Sequence, residues 1–181
     1  MAKRADARRN SDAVLEAAAA AFVAAGVEAP VRDIAARAGV GVGTVYRHFP
    51  TRADLVVAVY LHQIEACAEA GERLLTEGPT PFAALARWID LFVDFLVTKH
   101  GLAAALRGDD PQFESLHSLF LERLLPVCTR LLAAARESGE VRTEIGPFAL
   151  MFGVGNLCAG AGVPDYDART LVSTLVAGLR A

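Results

Sequence analysis

Cysteine is scarce in this chain. Its three cysteines, Cys67, Cys128 and Cys158, lie far apart and form no Cys-x-x-Cys pair, which indicates reduced core residues of an intracellular protein and not disulfides or zinc ligands. A P-loop, a serine nucleophile elbow and a complete Gly-x-Gly-x-x-Gly motif are also missing. Glu114 and His117 have the spacing of one di-iron ligand pair, but the second pair that such a site needs is absent. We therefore expect no catalytic site, cofactor or metal.

Long apolar runs are equally rare. Residues 145–164 carry no charge, but five glycines, Pro147 and Asn156 make this segment a poor membrane span. A helix buried in a subunit interface is the favoured alternative. Near the N-terminus, Glu16 interrupts the apolar run 13–26, whose apolar residues recur at helical spacing. This spacing favours an amphipathic helix over a signal peptide, and a cytoplasmic protein is expected.

The net charge of −3 is unevenly distributed along the 181 residues. Residues 1–52 carry eight Lys or Arg against five Asp or Glu, whereas the rest of the chain carries ten basic residues against sixteen acidic ones. A basic N-terminal part joined to an acidic remainder is typical of a DNA-binding head on a body that does not bind DNA.

The segment 31–49 contains the clearest motif. One short helical pattern ends at Gly39 and a second begins at Val42, as in two helices joined by a tight turn. Ala35 and Gly39 are small enough for the helices to approach closely, and glycine also permits a positive φ. The apolar side of the second helix is formed by Val40, Val45 and Phe49, and its outward donors are Thr44, Tyr46, Arg47 and His48. We interpret this segment as a helix-turn-helix that docks in a DNA groove.

The outward side chains of this motif define a candidate DNA-binding set. The set comprises Arg32, Val42, Gly43, Thr44, Tyr46, Arg47, His48 and Arg52. Arg47 is the best candidate for base recognition, because a guanidinium can pair with guanine O6 and N7. Arg32 lies in the first helical turn, where it can reach the backbone or a base edge. The alternatives are a partly buried aromatic for Tyr46 and an ordinary surface histidine for His48.

Residues 9–60 resemble the DNA-binding region of the tetracycline-repressor (TetR) family of bacterial transcriptional regulators. The match comprises an Ala-rich helix ending in AFVAAGV, then VRDIAARAGV, GTVYRHFPTRADL and the start of a long helix at VVAVY. The chain departs from the family pattern at Pro30, where a Ser or Thr usually caps the helix and contacts phosphate. A second departure is Gly41-Val42, which replaces a frequent Ser-Lys pair.

The resemblance implies functional roles for individual residues. Thr44, Tyr46 and His48 match positions at which the family contacts the DNA backbone. The resemblance also implies that the long helix starting near residue 51 transmits a signal from the C-terminal part of the chain to the DNA-binding part. It further implies that the protein represses transcription.

Apolar residues recur at helical spacing along the whole chain. The predicted helices cover residues 10–25, 30–38, 42–48, 51–76, 81–99, 102–107, 112–138, 145–162 and 167–180. Thr51 and Asp54 have the spacing of a capping box, and Pro126 is expected to kink its helix. The expected inward residues of the last helix are Leu171, Leu175, Val176 and Leu179. Residues 1–9 are predicted to be a basic arm without fixed structure of its own, which either reaches DNA or remains a solvated tail.

The predicted fold class is all-α with about nine helices. A three-helix helix-turn-helix DNA-binding domain occupies residues 1–50, and a helical effector-binding and dimerisation domain occupies residues 51–181. Because two recognition helices on a twofold axis can occupy successive major grooves about 34 Å apart, a homodimer is expected. Its interface is assigned to 145–162 with parts of 112–138 or 167–180.

These features predict a ligand-responsive repressor that binds a palindromic DNA operator and does not bind a membrane. The candidate pocket residues for a small apolar effector are His62, Trp88, Phe92, Phe113, His117, Met151 and Asn156. A core that these side chains simply fill is the open alternative. An all-helical ligand-binding or interaction protein without DNA binding is the competing class.

Overall fold

A computed structural model describes residues 2–103, 111–160 and 163–180, without the side chains of 2–8, 98–103, 111–115 and 117. The helices are α1 (Ala2–Ala25), α2 (Val31–Ala38), α3 (Val42–His48), α4 (Arg52–Glu77), α5 (Pro81–Ala103), α6 (Pro111–Glu137), α7 (Pro147–Cys158) and α8 (Ala168–Ala177). Among the described residues outside the helices, β-type backbone pairing is limited to one isolated antiparallel bridge between Val141 and Arg180. The predicted all-α fold is confirmed.

The described part of the chain contains eight helices, where about nine were predicted. The difference arises after Lys99, where α5 continues through Gly101 to Ala103. The predicted short helix up to Arg107 therefore falls partly in α5 and partly outside the described residues. No helix in the described ranges is both long enough and apolar enough to span a membrane.

Helix α1 begins eight residues earlier than predicted, at Ala2 and not at Asn10. The prediction of a basic arm without helical structure is therefore wrong at the level of the backbone. Residues 2–9 contain no glycine or proline and several alanines and arginines, which are strong helix formers. Because extending an existing helix is much easier than nucleating a new one, these residues continue the helix that the buried residues after Asn10 establish.

The chain forms two compact units, one comprising Met1–Gln63 with Thr98–Asp110 and the other Ile64–Val97 with Pro111–Ala181. We call them the head and the body. The core of the head is formed by Val14, Ala18, Phe22, Ile34, Ala35, Val45 and Phe49, all at most 9% exposed. Helix α4 contributes its first half to the head and its second half to the body, and a functional boundary at residue 50 stays a prediction.

Local signals fix the start of α4 as predicted. The backbone N–H of Thr51 donates to Asp54 Oδ2 at 2.9 Å, and the N–H of Asp54 donates to Thr51 Oγ1 at 3.1 Å. This is the reciprocal capping box that the spacing indicated. The start of α2 differs by one position, because Pro30 is the N-cap and not part of the first turn.

The inward face of α8 is not the one predicted. Leu171 is 41% exposed, whereas the buried residues are Ala168, Val172 and Val176 of α8 and Leu179 just after its end. These four follow the helical spacing of four, four and three residues, and Leu171 falls beside that stripe. Leu175 is partly buried, so the expectation is confirmed for Val176 and Leu179 and wrong for Leu171.

Aromatic rings fill the centre of the body. The ring of Trp88 stacks on Phe92 with centroids 5.5 Å apart, and Phe92 also stacks on Phe120 at 5.9 Å. The indole Nε1 of Trp88 donates to the carbonyl oxygen of Cys67 at 3.0 Å, so the one polar atom of this buried ring has a partner. All three cysteines are free and buried, as predicted. Burial raises the pKa of Cys67 to about 12, which keeps the thiol protonated and unreactive.

Helices α4 and α6 meet closely within the body. A Cβ atom placed on Gly71 would lie 2.1 Å from Val127 Cγ1, so only glycine leaves room for this valine. Ion pairs between Glu65 and Arg123 and between Glu72 and Arg130 link the same two helices. These pairs are about half exposed and contribute little stability, about 0–1 kcal/mol each. The close packing therefore depends mainly on the absence of a side chain at residue 71.

Replacing Gly71 by alanine tests this packing. Because the added methyl group would overlap with Val127, we expect Gly71→Ala to lower the free energy of unfolding by about 1–3 kcal/mol. Denaturant unfolding followed by circular dichroism measures the change.

A second helical glycine of the body provides the control. A Cβ on Gly153 would meet no heavy atom closer than 4.0 Å. Gly153→Ala should therefore leave stability unchanged or raise it by about 0.5–1 kcal/mol, through better helix propensity alone. Equal effects of the two substitutions would contradict the proposed overlap.

Candidate nucleic-acid interface

Helices α2 and α3 are joined by a turn of three residues. Helix α2 ends at Ala38, and its C-cap residue Gly39 has a φ of 68°, in the left-handed region that glycine adopts without strain. The N–H of Val40 donates back to Ala35 O at 3.0 Å, and the N–H of Thr44 donates to Gly41 O at 2.8 Å as α3 begins. The predicted helix-turn-helix is confirmed, with α3 at the bounds expected from the sequence.

One side of α3 anchors the helix and the other faces outward. Val45 is 1% exposed and Phe49, the C-cap residue, is 9% exposed, so both belong to the head core. Val42, Gly43, Arg47 and His48 are exposed, Thr44 is half-buried, and 51% of Tyr46 is exposed. The outward side therefore carries the hydrogen-bond donors that were predicted to contact DNA.

The electrostatic character of α3 suits a polyanion. The helix contains no acidic residue, and its last turn carries Arg47 and His48. Arg32, in the first turn of α2, has a side chain that is 81% exposed and is paired only loosely with its neighbour Asp33, at 3.3 Å. Phosphate oxygens approaching this part of the head would meet donors that are not sequestered in the protein interior.

Arg52 differs from the other candidate residues. Its guanidinium Nη1 donates to the carbonyl oxygen of Val27 and, at 2.9 Å, to that of Ala29. The partners lie about twenty-five positions earlier in the chain, and sequence spacing gives no signal for such a contact. A phosphate contact by Arg52 stays a prediction, since the structure shows only its bonds within the head.

Three of the candidate pocket residues are buried in the body. Trp88 and Phe92 stack in the body core, and Met151 is also buried there. His62 belongs to the head and is half-buried. Phe113 and His117, like Glu114, lie outside the residues whose side chains are described.

A pocket within the single chain requires an inward position for Asn156, and this part of the prediction is wrong. The buried residues of α7 are Leu150, Met151, Val154 and Cys158. Asn156 lies on the opposite side of the helix, four residues after Phe152 and eight after Phe148, and it is exposed. Both phenylalanines are exposed as well, at 52% and 60%, and their rings stack with centroids 6.0 Å apart.

A short donor-rich helix without acidic residues, anchored by two buried apolar side chains and preceded by a tight turn, defines a helix-turn-helix DNA-binding protein. Comparisons with known proteins agree. Residues 14–59 match the model of bacterial regulatory proteins of the tetR family, and residues 80–181 match the C-terminal domain of SbtR-like transcriptional regulators.

Solved structures extend this similarity to the whole chain. A TetR transcriptional regulator from Streptomyces coelicolor is 31% identical, with 94% of this chain and 98% of that chain covered and a TM-score of 0.80. A TetR regulatory protein from Mycobacterium vanbaalenii is 34% identical, with coverages of 98% and 99% and a TM-score of 0.76. The chain belongs to the TetR family and is a DNA-binding transcriptional regulator.

A more distant structure shares the fold. The transcriptional regulator FadR from Bacillus subtilis, solved in complex with stearoyl-CoA, is 22% identical, with 92% of this chain and 96% of that chain covered and a TM-score of 0.60. The family assignment favours a DNA-binding regulator over an all-helical protein that does not bind DNA.

Two substitutions on α3 separate base recognition from backbone contact. We expect Arg47→Ala to relax base preference at one position per half-site, at a cost of about 1–3 kcal/mol, because a bidentate guanidinium contact is lost. Tyr46→Phe should weaken binding to all sequences alike, because it removes a donor to phosphate. Binding of each variant to a randomised duplex library, followed by sequencing, measures both effects.

Arg37→Ala is the control for lost charge, since Arg37 is exposed in the last turn of α2 and off the recognition helix. It should leave base preference unchanged. The assigned roles would be contradicted if Arg47→Ala and Tyr46→Phe changed base preference equally.

Proposed function

We propose that this regulator is a cytoplasmic homodimer that represses transcription by binding a palindromic operator and that a small apolar effector releases it. The outward donor face of α3 carries the DNA-binding part of this proposal. A single seven-residue recognition helix gives weak, salt-sensitive binding, whereas two such helices one helical turn apart, about 34 Å, contact two half-sites together. A dimer is therefore the form in which this chain binds DNA specifically.

The outer face of α7 supports an interface between two copies of the chain. Phe148 and Phe152 form a stacked, exposed apolar pair on a helix that carries no charge. A Cβ on Gly155 would meet no atom within 4 Å, so another helix could approach closely at this point. The partly exposed Leu171 of α8 adds apolar surface within the same unit. Exposed apolar faces of this kind are usually covered by a partner, and a twofold axis would cover both copies at once.

A charge placed on this face tests the dimer. We expect Phe152→Glu to convert the protein to a monomer at micromolar concentration, because burying an unpaired carboxylate in an apolar interface is costly. Sedimentation velocity measures the change, and operator affinity should fall with it. The matched control is Val23→Glu, which places the same charge on an exposed apolar residue of the head. A Phe152→Glu protein that remained dimeric would contradict the proposed interface.

The effector part of the proposal rests on the apolar body. Among distant structures of the same fold, the Bacillus subtilis regulator binds an acyl-CoA. An effector for this chain would act by population shift: it would have to bind more tightly to the form with wrongly spaced recognition helices. The candidate pocket residues, including Phe113, His117 and Met151, stay predictions. We assign no catalytic activity to the protein.

Genomic selection tests the proposal directly. Purified protein is mixed with fragmented genomic DNA from its source organism at low salt, and the retained fragments are sequenced. We expect inverted repeats whose half-sites are centred about 10 base pairs, or a multiple of that, apart. Retained fragments that share only an unrepeated site would argue against the symmetric dimer, and the absence of any enrichment would overturn operator binding.

A further inference from the structure

The positive charge of Arg52 does not by itself explain where its side chain lies in the head. It is the first residue of α4, and its side chain is half-buried. One guanidinium nitrogen donates to two carbonyl oxygens, those of Val27 and Ala29, in the connection between α1 and α2. The guanidinium is therefore hydrogen-bonded within the protein at a position where a phosphate contact was expected.

The two carbonyl groups belong to two buried residues in a stretch of irregular backbone. Val27 is 7% exposed and Ala29 is 3% exposed. The chain leaves α1 through Gly26, with φ at 73°, and the N–H of Ala29 turns back to Gly26 O at 3.1 Å. Buried carbonyl groups need donors, and a charged donor makes the stronger bond. Arg52 supplies that donor for both groups.

These bonds join the two ends of the helix-turn-helix. Ala29 is separated from the start of α2 only by Pro30, and Arg52 follows the end of α3 by four residues. Arg52 therefore holds the segment that enters α2 against the segment that leaves α3. Since α3 has seven residues and such a short helix is unstable alone, its orientation depends on these flanking contacts.

We propose that Arg52 is a positioning residue for the recognition helix and not a phosphate ligand. The proposal rests on the DNA-binding function of the chain and adds to it the source of the orientation of α3. Without Arg52, α3 would sample other orientations, and DNA would select the competent one at the cost of apparent affinity. The number of phosphates contacted in the complex would stay the same.

Salt dependence distinguishes the two roles. The logarithm of the binding constant falls with the logarithm of salt concentration by about 0.9 for each phosphate neutralised by a protein cation. Loss of a phosphate ligand flattens this slope by about 0.9 per subunit. Loss of a positioning residue lowers affinity equally at all salt concentrations and leaves the slope unchanged.

The experiment uses the full chain and compares Arg52→Met, which keeps the aliphatic stem without donors, with Arg32→Met as the control for an exposed cation. The probe is a duplex selected by the wild-type protein from a random-sequence library, titrated between about 50 and 200 mM salt. We expect Arg52→Met to bind this duplex about tenfold more weakly, because the fraction of protein in the binding-competent form falls to about one tenth. The salt dependence of its binding should keep the wild-type slope. Arg32→Met should flatten the slope.

Hydrogen exchange of the free protein provides a readout without DNA. In Arg52→Met, amide hydrogens of residues 26–29 and 31 should exchange faster than in the wild type, and in Arg32→Met they should not. If Arg52→Met lacks a cooperative thermal transition, Arg52→Lys replaces it. Because an ammonium can donate to these carbonyls but lacks the planar guanidinium geometry, Arg52→Lys should show a smaller affinity loss and intermediate exchange with an unchanged slope.

Any one of the following results for the Arg52 variants would overturn the proposal. A slope flattened by about 0.9 per subunit with unchanged exchange would make Arg52 a phosphate ligand. Unchanged affinity in Arg52→Met, or wild-type affinity and exchange in Arg52→Lys, would remove the positioning role. Failure of the wild-type protein to select any duplex would count against operator binding instead, and unchanged exchange in Arg52→Met would still overturn the role of Arg52 in the head.

Discussion

The structure depends on how a seven-residue helix is held in place. A helix as short as α3 is unstable in water by itself, because nucleation costs more than its few hydrogen bonds return. Burial of Val45 and Phe49 in the head core fixes one side of the helix. The left-handed Gly39 sets the entry from α2, and the bonds of Arg52 join the exit to the α1–α2 connection. The outward donors of α3 are thereby held in one arrangement within the head.

The two units of the chain differ in their cores and in their exposed surfaces. The head combines a small apolar core with an exposed surface rich in basic side chains and other donors. The body encloses a large aromatic core, and the outer face of α7 is left apolar around Phe148 and Phe152. Helix α4 contributes to both units, and its second half is packed on α6 through Gly71 and Val127.

Features with local causes could be predicted from the sequence. The bounds of α3, the left-handed Gly39 and the capping box at Thr51 depend on neighbouring residues, and each was predicted correctly. Features that depend on distant partners were missed. The exposed positions of Leu171 and Asn156 and the bonds of Arg52 are decided by which elements pack together, and periodicity carries no information about this.

The sequence by itself determined the all-α class, the helix-turn-helix, its outward donors and the division into a basic head and an acidic body, because these follow from spacing, composition and turn chemistry within short segments. Only the tertiary structure decided where the guanidinium of Arg52 binds, which side of α7 stays exposed and why residue 71 must be glycine. Such features arise between atoms that are close in space but far apart in the chain, where the order of residues does not specify a distance.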